Sequence, residues 1–143
     1  ATSDMYWLYD RIGKKRATYA YAYQELLNRS QVIAFGTDFP VEDINPIMTY
    51  YSAVARKDKN GYPDDGFQME NSISRADALY AMTIHGAYVN FEEEEKGSIE
   101  VGKSADFILL DNDIIKSLES RIPLTSVVAT FVNGELVFNR RYN

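Results

Sequence analysis

The sequence contains no cysteine, so disulfides, thiol nucleophiles and thiolate-held metals are excluded within its 143 residues. Histidine occurs once, as His85. A closed zinc site takes several His or Cys ligands, so the chain has little with which to build one alone. No stretch reaches the roughly 18–20 consecutive apolar residues of a membrane-spanning helix. The first twelve residues, ATSDMYWLYDRI, lack a basic segment followed by an apolar run, and no secretory leader is read there. Positive charge is in deficit: 15 Lys and Arg against 21 Asp and Glu give a net charge of −6. An acidic surface repels phosphates, which argues against nucleic-acid binding.

What is present fits a globular chain. Hydrophobic residues make up 45% and charged residues 25%, which separates the chain from disordered compositions. Tyrosine is concentrated early, at Tyr6, Tyr9, Tyr19, Tyr21, Tyr23, Tyr50 and Tyr51. A tyrosine buries a large ring but keeps a hydroxyl that wants a partner, so the cluster suits either helix packing or an interface.

Asp4 is placed to cap a short helix over residues 5–12 that Gly13 ends. The basic cluster Lys14-Lys15-Arg16 then opens a second helix running to about Arg29. Val32-Ile33-Ala34-Phe35-Gly36 is an unbroken apolar run, the pattern of a strand buried on both faces of a parallel sheet. Pro40 ends it. Asn45-Pro46 starts a helix, with Asn as cap and Pro at the first helical position. Residues 56–71 form a long polar loop. Ser74 and Asp77 form a capping box for a helix that reaches about Phe91, with a break near Thr83 or Gly86. The last third turns to strands at 107–110 and 127–132, and Asn133-Gly134 is a hairpin signal returning the chain through 135–138.

One element conflicts with the rest. A doubly buried strand needs neighbours on both edges, and nothing else in the first ninety residues reads as one. Either that segment is not a strand, or the chain is part of something larger.

The most informative stretch is Gly36-Thr37-Asp38-Phe39-Pro40-Val41. An acidic residue just beyond a parallel strand sits where α/β barrels place catalytic groups. Further strings fall in order along the chain: Ala1-Thr2-Ser3-Asp4-Met5, Asn45-Pro46, Arg75-Ala76-Asp77-Ala78-Leu79, Thr83-Ile84, Gly86-Ala87, Lys96-Gly97-Ser98-Ile99, Gly102-Lys103-Ser104-Ala105-Asp106, Val132-Asn133-Gly134 and Val137. Together they resemble the C-terminal portion of a metal-dependent amidohydrolase, of the branch called amidohydrolase family 3 or YtcJ-like. The implied fold class is α/β. Residues 1–91 would be the C-terminal end of a (β/α)8 barrel, its last strand and flanking helices, and 92–143 the C-terminal part of a small β-sandwich. The Gln-Pro-x-His run that precedes the first string in the family is missing here.

The resemblance implies hydrolysis of carbon–nitrogen bonds other than peptide bonds in a small-molecule substrate. It also implies a divalent metal, Zn²⁺ in the parent enzyme, held by His residues on earlier strands and by one Asp on the eighth. Of that set only Asp38 is here, as metal ligand and as general base toward the hydrolytic water. The chemistry is sound, because a divalent ion lowers the pKa of bound water towards ~7 and a nearby carboxylate can take its proton. With the other ligands absent, the expectation is a fragment that is inactive alone and carries no metal. Ala rather than Met at position 1 fits a chain that continues upstream.

The remaining polar residues read as structural. His85 falls within a helix and matches no family ligand. Asp106 suits backbone hydrogen bonds at a strand start. Asp4 could reach a substrate but serves equally as a helix cap. Asp64, Asp65 and Glu70 lie in the long loop without an assigned role, and Glu92–Glu95 reads as a solvated run. The rival reading is a self-contained, non-catalytic α+β binding or interaction module. As a fragment the chain should expose strand edges and self-associate. Compartment is not legible, and the cytoplasm stands as the default.

Overall fold

Asn45 and Pro46 open the longest helix among the residues described in the computed structural model, 1–141. The Asn45 side-chain oxygen accepts from the Ile47 N–H at 3.0 Å, and Pro46 stands where a missing N–H costs nothing. The helices are α1 (Leu8–Ile12), α2 (Lys14–Ala17), α3 (Tyr23–Ser30), α4 (Pro46–Ala55), α5 (Arg75–Met82) and α6 (Ile84–Val89). The strands are β1 (Phe107–Leu110), β2 (Val127–Val132) and β3 (Glu135–Asn139). Short 3-10 turns lie at Asp4–Tyr6, Met69–Asn71 and Glu119–Leu124. The result is a mixed helix and strand fold in which the helices precede the sheet.

The main core gathers on α4. Ile47, Tyr50, Tyr51, Ala53 and Ala55 pack with Ile73, Ala78, Ile114 and Ile122, all buried. The segment after β1 therefore folds back onto the helices, and Arg75 fixes it there by donating from Nη1 to the carbonyls of Ile115 at 3.0 Å and Ser117 at 2.6 Å. A smaller cluster of Met5, Leu8, Ala17 and Phe67 seats α1 and α2 on the long loop. The capping box holds as expected. Ser74 Oγ accepts from the Asp77 N–H at 3.1 Å and donates to the Asp77 carboxylate at 2.6 Å. The helix that follows breaks at Thr83, which separates α5 from α6.

The sheet is antiparallel in the order β1-β2-β3. Phe107 faces Phe131, and their rings stack at 4.5 Å. Asn133 (φ 51) and Gly134 (φ 80) make the turn, both at the positive φ that a two-residue hairpin requires. Ile108, Leu109, Leu136 and Val137 are exposed, as are Phe91, Ile99 and Val101 in the segment before the sheet.

Three expectations are corrected. Val32–Phe35 forms no strand. It is a single extended segment whose polar groups turn to the helices: the Phe35 N–H donates to the Ala81 carbonyl at 2.9 Å, and the Ile33 carbonyl meets His85. Its apolar side chains want burial, but among the described residues no neighbouring strand is present to build a ladder, and Ala34 is exposed. The long second helix is also interrupted. Tyr21 lies at φ 57 between α2 and α3, held there by contacts described below. Asp4, finally, caps nothing: neither the 3-10 turn nor α1 has a side-chain cap.

Candidate functional site

Ala1–Asp4 and Tyr6, Tyr21 and Tyr23, residues 33–38, Glu42, Asp43 and Asn45, four residues of the following helix (Met48, Thr49, Ser52 and Ala53), and Asp58 with Lys59 line one cleft of about 670 Å³. Asp38 lies on it, beyond the apolar run and exposed. Its φ of 62 is left-handed, a conformation that Asp tolerates better than most residues. Its carbonyl accepts from the N–H of Val41 at 2.9 Å and of Glu42 at 3.3 Å, so the turn that Pro40 enforces is closed on Asp38 itself.

The cleft is walled by Tyr6, Tyr21 and Tyr23, members of the tyrosine cluster that suits either helix packing or an interface. The Tyr21 hydroxyl donates to the Asp4 carboxylate. Burial and then the neighbouring Asp4 push the Tyr21 hydroxyl well above its ordinary range. The Tyr6 hydroxyl donates to Asp58 at 2.5 Å, and its pKa is raised chiefly by that bond. Burial alone would raise the Asp58 carboxyl, but hydrogen bonds from Tyr6, Tyr62 and Asn60 hold it below the usual carboxylate range. Ser3 donates to Glu42 at 2.5 Å, and Thr2 and Ser52 hydroxyls share a bond of 2.8 Å, which tie the first residues to the far wall.

Arg56 is the residue that sequence reasoning missed. The polar run that starts with it reads as solvent-facing, yet Arg56 is fully buried. Its Nε donates to the Phe67 carbonyl at 2.9 Å and its Nη1 to the Tyr21 carbonyl at 3.4 Å. The guanidinium carbon lies 5.6 Å from the Tyr23 ring and 5.7 Å from the Phe67 ring. Desolvation lowers its pKa, though Arg remains charged at neutral pH. Nothing in the local sequence marks it.

His85 is not in this cleft. Its Nδ1 lies 3.2 Å from the Ile33 carbonyl, and it lines a separate open hollow with Tyr80, Tyr88 and Glu93. Asp106 accepts from the Asn133 N–H at 2.7 Å, so it braces the hairpin. Among the described residues, no group of three or more His, Asp or Glu side chains is arranged to hold a metal ion. Asp38 therefore belongs to no such group. No helix among the described residues is long and apolar enough to cross a membrane.

Comparison with known proteins agrees with the ordered strings. A sequence profile described as amidohydrolase family matches residues 1–138. YtcJ of Bacillus subtilis, an amidohydrolase by name, is 28% identical over 138 residues, covering 96% of this chain and 26% of that protein. LONG AFTER FAR-RED 3 of Arabidopsis thaliana is 35% identical over 129 residues, 90% of this chain and 22% of that protein. The N-substituted formamide deformylase of Arthrobacter pascens is 27% identical over 117 residues, 82% of this chain and 21% of that protein. A solved amidohydrolase from Thermotoga maritima is similar over 86% of this chain and 36% of its own, at 18% identity and a TM-score of 0.45. The chain spans about a quarter or less of the length of these curated relatives.

Proposed function

Since the chain belongs to the amidohydrolase family, we propose that it is the C-terminal part of a metal-dependent hydrolase acting on carbon–nitrogen bonds other than peptide bonds. The observation that carries this reading is the family match over residues 1–138 together with Asp38 on the cleft wall. In the proposed assembly, residues 1–91 complete a (β/α)8 barrel and residues 92–143 contribute to a small β-sandwich. Val32–Phe35 then finds the strand neighbours that its apolar side chains call for. Asp38 is the carboxylate this chain contributes to the metal centre, Zn²⁺ by family resemblance, and it accepts the proton of the attacking water. The substrate is a small molecule carrying an amide, formamide or related bond, as the deformylase among the relatives illustrates by name.

Alone, the chain holds one of the required ligands. Zinc incubation followed by gel filtration and plasma mass spectrometry is therefore expected to recover essentially no metal with it. About one metal per chain would overturn the single-ligand reading. In the longer protein, Asp38→Asn is expected to cut hydrolysis of a simple formamide by at least about a hundredfold while leaving the fold intact. Unchanged turnover in that variant removes Asp38 from the chemistry. A longer protein that neither holds metal nor hydrolyses amides would favour the non-catalytic module instead.

A further inference from the structure

The cleft walls carry five carboxylates, Asp4, Asp38, Glu42, Asp43 and Asp58, against two ammonium groups, those of Lys59 and of the Ala1 N-terminus. Four of them accept hydrogen bonds, and the donors are neutral. Tyr21 donates to Asp4, Ser3 to Glu42, the Asn45 N–H to Asp43, and Tyr6 to Asp58. Neutral donors fix the position of a carboxylate without cancelling its charge. None of the five enters an ion pair among the described residues. The other nearby cation, Arg56, is buried and turned to the Phe67 and Tyr21 carbonyls. Negative potential is thus concentrated in a concave site whose remaining walls are partly aromatic, and such a site raises the local concentration of cations.

We propose that this cleft selects substrates whose end remote from the scissile carbon–nitrogen bond carries an ammonium or guanidinium group, and rejects those ending in a carboxylate or phosphate. The inference rests on the cleft being the substrate site of the hydrolase proposed above. The carboxylates other than Asp38 read the charge, and the tyrosine and Phe35 rings accept the alkyl or aryl stem that bears it.

Three amides of matched stem test it on this chain: N-acetylputrescine, cationic; N-butylacetamide, neutral; and N-acetyl-4-aminobutyrate, anionic. Titration into the isotope-labelled chain at low ionic strength is read by NMR. The cationic amide is expected to bind at least about tenfold tighter than the anionic one, with the neutral amide between them. Shifts should centre on Glu42, Asp58 and their neighbours. The gap should shrink in high salt and narrow in both Asp58→Asn and Glu42→Gln, so the outcome does not hang on one variant's folding. Equal affinities, the reverse order, shifts elsewhere on the surface or no binding at all would overturn it. Hydrolysis is scored separately, with the neutral amide and the longer protein. Turnover without a charge order removes this inference and leaves the hydrolase; a charge order in binding without turnover does the reverse.

Discussion

Tyr50→Phe deletes one oxygen from the centre of the core, and its effect on stability should change sign with pH. Tyr50 is fully buried, and its hydroxyl lies 3.2 Å from both the Arg75 and the Ile114 carbonyl, which share its one proton. The Ile114 carbonyl also accepts from Arg75 Nη1 at 3.2 Å, so it keeps a partner after the substitution. The cost near neutrality is then one ordinary hydrogen bond, about 1 kcal/mol. Burial pushes the Tyr50 hydroxyl up to about 12, against the opposing pull of Arg75. An unfolded tyrosine titrates near 10, so above that pH the unfolded chain sheds a proton that the folded chain keeps. Stability conferred below pH ~10 is therefore lost as pH rises towards ~12, and this one group takes away about 1.4 kcal/mol by pH ~11. Phenylalanine has no such loss. The variant should be the less stable protein at pH 7 and should overtake the parent sequence just below pH ~11. Tyr6, Tyr21, Tyr23 and Tyr51 are raised as well, but they are common to both proteins and cancel in the difference. Urea unfolding followed by the fluorescence of Trp7, the single tryptophan, measures both proteins at pH 7, 10 and 11. A stability difference that stays constant across that range refutes the reasoning.

Two glycines should respond unequally to alanine. A Cβ on Gly97 (φ 91) would lie 2.7 Å from the Ala87 Cβ and 3.0 Å from the Ile84 Cα, whereas one on Gly134 (φ 80) meets only the Ala105 Cβ at 3.8 Å. Thermal unfolding should show a loss of about 1 kcal/mol for Gly134→Ala and about 3 kcal/mol for Gly97→Ala, and equal losses would contradict the packing argument. Ser74→Ala removes the side-chain acceptor for the Asp77 N–H and should cost about 1 kcal/mol in the same assay, with Ser74→Asp restoring most of it. The outer edge of β3 carries exposed Leu136 and Val137, so light scattering should show concentration-dependent association that Val137→Lys reduces. A clean monomer at all concentrations counts against the exposed-edge reading.

The hairpin and the caps at Asn45 and Ser74 were legible because their causes are local. Asn133-Gly134 supplies two positive φ angles in adjacent residues, Asn45-Pro46 supplies an acceptor and a preset φ, and Ser74 and Asp77 reach one another across a single turn. Val32–Phe35 failed for the opposite reason. An unbroken apolar run specifies that a segment should be covered but not by what, and here α5 and α6 offer only a carbonyl and an imidazole to it. The break between α2 and α3 was equally invisible. The segment from Lys14 to Ser30 contains neither Pro nor Gly. Tyr21 is held in a left-handed conformation by partners far away in sequence, its hydroxyl on Asp4 and its carbonyl on Arg56.

The site divides along the same line. Asp38 could be found because a short apolar run ending in Gly-Thr-Asp carries its own signal. The rest of the cleft is assembled from contacts between residues 17, 39 and 52 positions apart, Tyr21 with Asp4, Ser3 with Glu42 and Tyr6 with Asp58. Arg56 explains why those contacts leave the cleft acidic. A buried guanidinium is commonly paired with a carboxylate. Instead Arg56 donates to two backbone carbonyls and lies near two aromatic rings, so it fastens Tyr21 and Phe67 without neutralising Asp4 or Asp58. A lysine there would offer a point charge in place of the planar fork and could not hold both carbonyls in the same way. The wall is thus fixed by a cation whose charge is turned away from the carboxylates, and it is this arrangement that leaves them available to a ligand.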